Sequence, residues 1–193
     1  MVRSVLRAFL ALDLEDSFRR DALALIEELR GERLPRVRWV THATMHVTLR
    51  FLGDTDETLV PALTELVMRL GETLPGAIDV RSTSLLAFPN ARRARVLALH
   101  LEDGGVTTEL AAAAERGVTA LGLPPEERSF RPHLTLGRLR EPADLRRLFA
   151  SRSGPMAGGR LCALTLYKSE LGAATAVHTP LARFSLDSGV SAP

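Results

Sequence analysis

Two tetrapeptides of the form His-x-Thr-Leu stand far apart in this chain. The first begins at His46, in the stretch HVTLRFLG, and the second begins at His133, in the stretch HLTLGRLR. Because the two histidines are 87 residues apart (133 − 46 = 87), no single turn or helix accounts for both. The chain has only 5 histidines, so the repetition indicates either chance or a site built from two halves.

Both tetrapeptides are predicted to lie on strands, where alternate side chains share a face. His46 and Thr48 then point one way, as do His133 and Thr135, while the leucines point to the core. Two imidazoles and two hydroxyls across a cleft are suited to in-line displacement at phosphorus. One histidine protonates the leaving oxygen, the other takes a proton from water, and the hydroxyls hold the phosphate oxygens. Since histidine titrates near neutrality, one neutral and one protonated copy can coexist at working pH.

Other interpretations of the tetrapeptides stay open. A histidine and a threonine on the exposed face of an amphipathic strand are common, so either copy alone could be structural. Histidine is also a common metal ligand, but neither tetrapeptide has a carboxylate or a third histidine at ligand spacing, and Asp54 and Asp56 lie in a predicted turn. A serine hydrolase is disfavoured because the chain lacks the nucleophile-elbow motif.

The composition is typical of a soluble globular protein, with 46% hydrophobic and 25% charged residues. No run reaches the roughly 18 apolar residues of a membrane span, and Arg7 interrupts the apolar N-terminal stretch. We therefore expect a cytoplasmic protein that does not associate with membranes, and a monomer. Cys162 is the only cysteine, which excludes an internal disulfide, and its apolar surroundings predict a buried thiol.

The order of apolar patterns predicts an α+β fold. Strands are expected at residues 5–12, 37–40, 46–52, 78–82, 84–88, 95–101, from 133 onward, 160–171 and 175–186, the last two joined around Gly172. Helices are expected at residues 15–31, 57–71, 107–121 and 143–149. Without a glycine-rich phosphate loop, a doubly wound sheet is less favoured. We infer one bilobal domain over residues 1–187 and a flexible tail at 188–193, each lobe being a small antiparallel or mixed sheet backed by helices.

The motifs and their flanks resemble the two-histidine phosphoesterases, specifically the RNA 2',3'-cyclic phosphodiesterases, also called 2'-5' RNA ligases. RFLG follows the first motif and SFRPH precedes the second, while AFLALDL resembles the opening strand of the family and LYKSEL with PLARFSL its closing strands. The resemblance implies a bilobal α+β fold with pseudo-twofold symmetry and an active-site cleft between the lobes. It implies no metal and no nucleotide cofactor.

The resemblance also assigns roles to the motif residues. His46 is the expected proton donor to the leaving ribose oxygen, His133 is the expected acceptor that activates water, and Thr48 and Thr135 are expected to bind the phosphate. The implied substrates are RNA with 2',3'-cyclic phosphate ends, or cyclic nucleotides, which are opened to 2'-phosphates. The alternatives are the reverse reaction, 2'-5' ligation of RNA halves, and a non-catalytic module that binds RNA or nucleotides.

Four further residues are candidates for substrate binding: Phe9, Arg50, Arg131 and Tyr167. By resemblance, Phe9 packs on the base or sugar, although a plain core position is the alternative. Arg131 could neutralise the phosphate through a forked contact. Tyr167 lines the cleft or is an ordinary cross-strand aromatic, and Arg50 follows the first motif as Arg138 follows the second.

Two features have no assigned role. His178 stands in the closing strand where many relatives carry an aromatic residue, and we expect an exposed strand histidine there. The arginines of FPNARRARV could form a lip along an RNA backbone or a solvated loop; these are Arg92, Arg93 and Arg95.

Overall fold

Strands and helices alternate along the chain in the computed structural model, which describes residues 4–152, 154–171 and 176–186. The strands are β1 (Val5–Leu14), β2 (Val37–Trp39), β3 (His46–Asp56), β4 (Ile78–Ser82), β5 (Leu85–Phe88), β6 (Ala94–His100), β7 (His133–Ala143), β8 (Ala157–Leu171) and β9 (Ala176–Ser185). The helices are α1 (Asp16–Arg30), α2 (Val60–Glu72), α3 (Val106–Ala120) and α4 (Arg146–Ala150). The predicted order of elements is confirmed, although β3 extends beyond the predicted residues 46–52 to Asp56.

The strands form two antiparallel sheets. One has five strands in the order β3-β1-β8-β4, with β9 also pairing with β8, and the other has four in the order β2-β7-β6-β5. The first tetrapeptide begins β3 in the five-stranded sheet, and the second begins β7 in the four-stranded sheet. The α+β fold with one motif in each sheet is thus confirmed, and the paired strands are antiparallel rather than mixed.

Helix α1 shows how the sequence produces this packing. Its buried residues are the five that the helical period predicts: Phe18, Ala22, Leu25, Ile26 and Leu29. The helix contacts β8 and ends at Gly31, whose N–H donates to the carbonyls of Glu28 and Leu29. Helix α2 contacts β8 and β9, and α3 contacts α2 and β3, so the apolar faces of the helices pack on the five-stranded sheet and on each other.

Some expectations concern the ends and junctions of the chain. The predicted tail 188–193, the domain boundary at residue 187 and the strand junction at Gly172 lie outside the described residues, so the single domain over 1–187 stays a prediction. Within the described ranges, no helix is both long enough and apolar enough to cross a bilayer. Cys162 is buried, as predicted.

Both motif strands contain a β-bulge at the same place. In β3, Thr48 pairs with Ala11 and Arg50 with Leu10, which leaves Leu49 without an opposite residue. In β7, Thr135 pairs with Ala98 and Gly137 with Leu97, which leaves Leu136 without one. Each unpaired leucine is the third residue after its motif histidine. A bulge shifts the alternation of side chains by one, so the residues beyond Leu49 and Leu136 change faces.

The close approach of β2 to β7 requires Gly137. A Cβ at this position would lie 2.5 Å from Cγ1 of Val37 and 3.1 Å from Cε3 of Trp39. These side chains belong to β2, the strand that pairs with this part of β7. The glycine therefore lets β2 pack directly over the strand.

Replacing Gly137 with alanine should destabilise the protein by about 1–3 kcal/mol, because β2 would have to move away from β7. The midpoint of urea unfolding measures the loss. Arg140→Ala is the matched control, because it puts the same side chain at an exposed position of the same strand and should change stability by no more than about 0.5 kcal/mol. Equal midpoints for Gly137→Ala and the wild type would contradict the packing described for β2.

Candidate active site

A groove with two adjoining cavities contains both tetrapeptides. The His46 cavity has a volume of about 410 Å³ and is lined by residues of both sheets, His46 among them. The His133 cavity has a volume of about 250 Å³ and is lined by His133. Four residues line both cavities and define the junction between them: Thr48, Phe51, Thr135 and Arg138. Strands β3 and β7 contact each other there, so the groove brings the two predicted half-sites together.

Each motif histidine is fixed by the same backbone hydrogen bond. Nδ1 of His46 lies 2.9 Å from the carbonyl oxygen of Thr44, and Nδ1 of His133 lies 2.7 Å from that of Arg131. A carbonyl oxygen only accepts, so in both rings Nδ1 carries the hydrogen and donates it. In the neutral ring, Nε2 is then the basic nitrogen. In both rings, Nε2 is therefore the atom that can exchange a proton with a ligand.

Aromatic rings hold both imidazoles from the side. The ring centroids of His46 and Phe9 are 4.9 Å apart, and those of His133 and Phe88 are 4.8 Å apart. The segment that leads into His46 is held by Arg19 of α1, whose guanidinium donates to the carbonyl of Met45 at 2.7 Å. Phe88 and Arg19 were not predicted as site residues, because their contacts depend on packing between distant segments.

The two motif threonines differ in their hydrogen bonds. Oγ1 of Thr48 lies 3.1 Å from Nε2 of His46, so its hydroxyl donates to the neutral ring. The hydroxyl of Thr135 makes no hydrogen bond to any described residue, although Thr135 lines both cavities. Thr135 can donate to a ligand without breaking a contact, whereas Thr48 must exchange its bond to His46.

The empty groove favours neutral histidines. Burial, followed by the charge of His178, lowers the pKa of His46 from 6.5 to about 4. Burial also lowers the pKa of His133, partly offset by the hydrogen bond to the Arg131 carbonyl. Coexistence of a neutral and a protonated copy is therefore not favoured in the empty groove at neutral pH. A bound anion is needed to stabilise the imidazolium.

Arg138 is a site residue that strict alternation of side chains along β7 does not predict. Counted from His133, it should share the buried face of Leu134, but the bulge at Leu136 turns it to the exposed face. Arg138 is open to the groove, yet protein surrounds it on its other sides. This desolvation, followed by the charge of Arg38, lowers its pKa. A guanidinium stays charged even so, and no hydrogen bond or ion pair with a described residue satisfies it. Arg138 thus provides an unpaired cation at the junction.

The prediction that Arg50 faces the substrate is not supported by its contacts. The bulge at Leu49 turns its side chain toward α3, where it donates to Glu115 and to the carbonyl of Pro124. The side chain is only 10% exposed. Arg50 touches the edge of the His133 cavity, but its guanidinium is engaged in structural contacts. In its place the groove face carries Phe51, which is 49% exposed.

Phe9 and Tyr167 differ in their relation to the cavities. Phe9 lines the His46 cavity, as its predicted role requires. It is only 2% exposed, because the rings of His46, Phe51, Tyr167 and His178 surround it, so little of its surface is open to a substrate. Tyr167 lines neither cavity. Its hydroxyl donates to the buried carboxylate of Asp13 at 2.7 Å, and burial raises its pKa. The prediction that Tyr167 lines the cleft is therefore wrong.

Asp13 organises a buried polar network behind His46. Besides Tyr167, it accepts hydrogen bonds from Thr165 at 2.9 Å and from Arg183 at 3.2 Å. It also lies opposite His46 in the pairing of β1 with β3. The negative charge of Asp13 raises the pKa of His46, but less than burial and His178 lower it.

His178 lies in the groove, so the expectation of an exposed strand histidine is wrong. Its ring is edge-on to that of His46, with centroids 5.3 Å apart. Its Nδ1 is buried and has no hydrogen-bond partner among the residues that the structure describes. Burial lowers its pKa. As a second imidazole in the His46 cavity, His178 opposes protonation of His46.

The remaining arginine predictions separate into two groups. Arg131 lines the His133 cavity, and its guanidinium carbon lies 5.4 Å from the centre of the Phe88 ring, so it is near the site as expected. Arg92, Arg93 and Arg95 line neither cavity. A lip formed by these three residues would lie outside the groove itself.

No group of three or more histidine, cysteine, aspartate or glutamate side chains suited to a metal ion occurs in the part of the chain that the structure describes.

The pKa of His46 should rise when an anion enters the groove. In the ligand-free protein we expect its ring to stay neutral down to about pH 4. A bound nucleoside 2'-phosphate stabilises the imidazolium and raises this pKa, and by linkage the ligand binds more tightly as the pH falls. NMR titration of the histidine ring protons measures both effects, with chloride at equal ionic strength as the control.

The same titration tests His178. The variant His178→Phe keeps an aromatic ring beside His46 but removes a positive charge, so the His46 pKa in the empty groove should rise above about 4. The exposed variant His42→Gln should leave it unchanged. A His46 ring that titrates near 6.5 in the ligand-free wild type, or that ignores the nucleotide, would contradict this description of the groove.

Comparisons with known proteins identify the family. A family model described as the 2'-5' RNA ligase superfamily matches residues 15–173. A Methanothermobacter thermautotrophicus protein named RNA 2',3'-cyclic phosphodiesterase is 30% identical over 188 residues, which cover 93% of this chain and 98% of the relative. A Thermus thermophilus protein of the same name is 30% identical over 190 residues, which cover 94% of this chain and 90% of the relative.

Solved structures share the fold. The crystal structure of TT0787 of Thermus thermophilus is similar with a TM-score of 0.77 and 28% identity, covering 94% of this chain and 98% of that chain. E. coli LigT complexed with 3'-AMP has a TM-score of 0.70 at 21% identity, covering 95% of this chain and 99% of that chain; this likeness concerns the fold alone. With the family match over residues 15–173 and relatives aligned along nearly their whole length, the chain belongs to the 2'-5' RNA ligase superfamily.

Proposed function

We propose that this protein hydrolyses RNA or nucleoside 2',3'-cyclic phosphates to 2'-phosphates by acid–base catalysis with two histidines. The observation that carries the proposal is the junction of the two cavities. One motif histidine lines each cavity, and two threonines and an unpaired arginine lie between them. The names of the relatives support the same activity. We further expect the protein to act as a cytoplasmic monomer, without a metal or a nucleotide cofactor.

In this mechanism the cyclic phosphate occupies the junction. On one side, Nε2 of His133 takes a proton from water, whose oxygen forms a new bond to phosphorus. On the other side, the bond from phosphorus to the ribose 3' oxygen breaks, and Nε2–H of His46 donates its proton to that oxygen. The 2' oxygen keeps the phosphate. One proton is taken up and one is released, so the two histidines end with exchanged protonation states.

The groups at the junction stabilise the charge that develops on phosphorus. The hydroxyls of Thr48 and Thr135 donate to the non-bridging oxygens, and Arg138 neutralises their charge. The bound phosphate also raises the low pKa of His46, because its negative charge stabilises the imidazolium that serves as the acid. His46 is therefore protonated, and able to act as the proton donor, when the substrate is bound. Arg131, beside His133, adds positive charge on the side where water attacks.

Removing either histidine should abolish most turnover. We expect His46→Ala and His133→Ala each to lower kcat by about 10²–10⁴-fold, the usual contribution of a positioned acid or base. The rate of hydrolysis of a nucleoside 2',3'-cyclic phosphate measures the effect, and His42→Ala, at an exposed histidine, is the control. A chelator should leave the rate unchanged. Near wild-type rates in either motif variant would rule out the proposed roles.

Arg138 should matter more than Arg50 or Arg140 for the chemical step. Replacing Arg138 with glutamine should lower kcat by about 10²-fold, the usual effect of losing one donor to a developing oxyanion. Arg140→Gln removes an exposed charge two residues further along β7 and serves as the matched control. If both variants lost the same activity, general loss of positive charge rather than a contact at the junction would explain it.

Ligation is a second candidate, because the His133 cavity is large. About 250 Å³ is several times the volume of one water molecule, roughly 30 Å³, and could admit an RNA end with a 5'-hydroxyl. In that direction His133 deprotonates the hydroxyl instead of water. Adding an RNA half with a 5'-hydroxyl to the hydrolysis assay shows whether a 2'-5' bond forms. If the protein were a non-catalytic binder, the cyclic nucleotide would raise its melting temperature, and none of the nucleotide would be consumed.

A further inference from the structure

The His46 cavity carries more positive charge than one cyclic phosphate requires. Among the described residues, its lining includes Arg7, Arg38 and Arg138, and no aspartate or glutamate. A terminal cyclic phosphate at the junction brings one negative charge, which Arg138 is placed to neutralise. The excess positive charge indicates that a second anion enters this cavity.

Arg38 is the arginine without a counter-charge. It lies directly opposite Arg138 in the pairing of β2 with β7, and residues paired in this way share a face of the sheet. Like charges in such a pair repel each other, and Arg38 contributes to the low pKa of Arg138. No carboxylate among the described residues forms an ion pair with either one. Arg7 differs, since its Nε lies 3.9 Å from a carboxylate oxygen of Asp54.

The position of Arg38 also relates to the direction of the substrate. Arg38 lines the His46 cavity but not the His133 cavity. In the proposed mechanism the ribose 3' oxygen faces His46, so the terminal nucleoside and the RNA chain that precedes it occupy the His46 side. The next anion along that chain is the phosphodiester on the 5' oxygen of the terminal nucleoside.

We propose that Arg38, paired with Arg138 across β2 and β7, binds the phosphodiester that precedes the terminal nucleotide, so that the enzyme prefers oligoribonucleotides to mononucleotides. The inference rests on the proposed function. With the cyclic phosphate beside Arg138 and the preceding phosphodiester beside Arg38, each guanidinium has an anion and their repulsion is relieved. The planar donor fork of Arg38 forms charge-assisted hydrogen bonds with the phosphodiester. Arg38 is then a binding residue for the chain and takes no part in proton transfer.

Three substrates and one pair of variants test the proposal. The substrates are a dinucleotide with a 2',3'-cyclic phosphate end, the same dinucleotide with a neutral methylphosphonate in place of its internal phosphodiester, and the nucleoside cyclic phosphate. The variants are Arg38→Gln and Arg36→Gln. Arg36 is an exposed arginine that lines neither cavity, so its replacement removes the same charge two residues away.

In the wild type and in Arg36→Gln, we expect kcat/KM for the natural dinucleotide to exceed that for its methylphosphonate analogue by about tenfold, with most of the difference in KM. In Arg38→Gln this ratio should fall to less than about twofold, because the variant has lost the partner of that one charge. The low rate of the methylphosphonate dinucleotide should resemble that of the nucleoside cyclic phosphate.

Two outcomes would overturn the proposal. One is a wild type that turns over both dinucleotides equally well, and the other is an Arg38→Gln variant that keeps the full preference for the phosphodiester. Both leave hydrolysis itself intact. Failure of the proposed function has a different signature, because the wild type would then consume none of the three substrates.

Discussion

The hydrogen bond from each motif histidine to a backbone carbonyl two residues earlier determines what the groove can do. It makes Nδ1 the donor in both rings and leaves Nε2 as the atom that exchanges protons. The bond is available because each histidine is the first residue of its strand. The carbonyl two residues earlier therefore lies outside the sheet and is free to accept from the ring. On the first side, Arg19 further holds this segment through the carbonyl of Met45. Two copies of a short motif thereby present the same atom from opposite sheets.

Symmetry of the backbone does not extend to the chemistry of the two halves. Each strand is bulged at the third residue after its histidine, and the fifth residue is thereby brought to the groove face. In β3 that residue is Phe51, an exposed aromatic ring, and in β7 it is Arg138, a cation. The buried carboxylate of Asp13 lies behind His46, and the ring of His178, the third imidazole of the groove, lies beside that of His46. One fold element, used twice, therefore gives a junction with an aromatic side and a charged side.

The sequence predicted what depends on local periodicity. The buried face of α1 and the shared face of His46 and Thr48 follow from the helical and strand periods, and the structure confirms both. The period fails beyond Leu49 and Leu136, because a bulge depends on how the neighbouring strand pairs. For β7 a signal existed, since a glycine inside a strand often marks a bulge.

Other contacts depend on residues far apart in the chain. Tyr167 donates to Asp13, which lies 154 positions earlier, and the ring of His178 meets that of His46 across the sheet. No pattern in the segment around Tyr167 or His178 contains this information. The sequence therefore predicted the shared face of each motif histidine and threonine, but it could not assign the residues that pack around them.

Charge in the groove favours an anionic ligand over the empty state. Burial and neighbouring cations keep His46 and His133 neutral in the free protein, while Arg138 has no partner among the described residues. A phosphate at the junction pairs the cation and makes protonation of His46 favourable. In the proposed mechanism, the substrate thus removes the energetic cost of an unpaired charge in the free protein, and its binding is linked to formation of the acid.

The identity of the product tests the central claim most directly. If His133 activates water on one side of the phosphate and His46 protonates the 3' oxygen on the other, hydrolysis in ¹⁸O-labelled water must give a single product. ³¹P NMR and mass spectrometry should show a 2'-phosphate that carries one ¹⁸O atom. A 3'-phosphate, a mixture of both isomers, or a cyclic phosphate that remains unchanged would contradict the account.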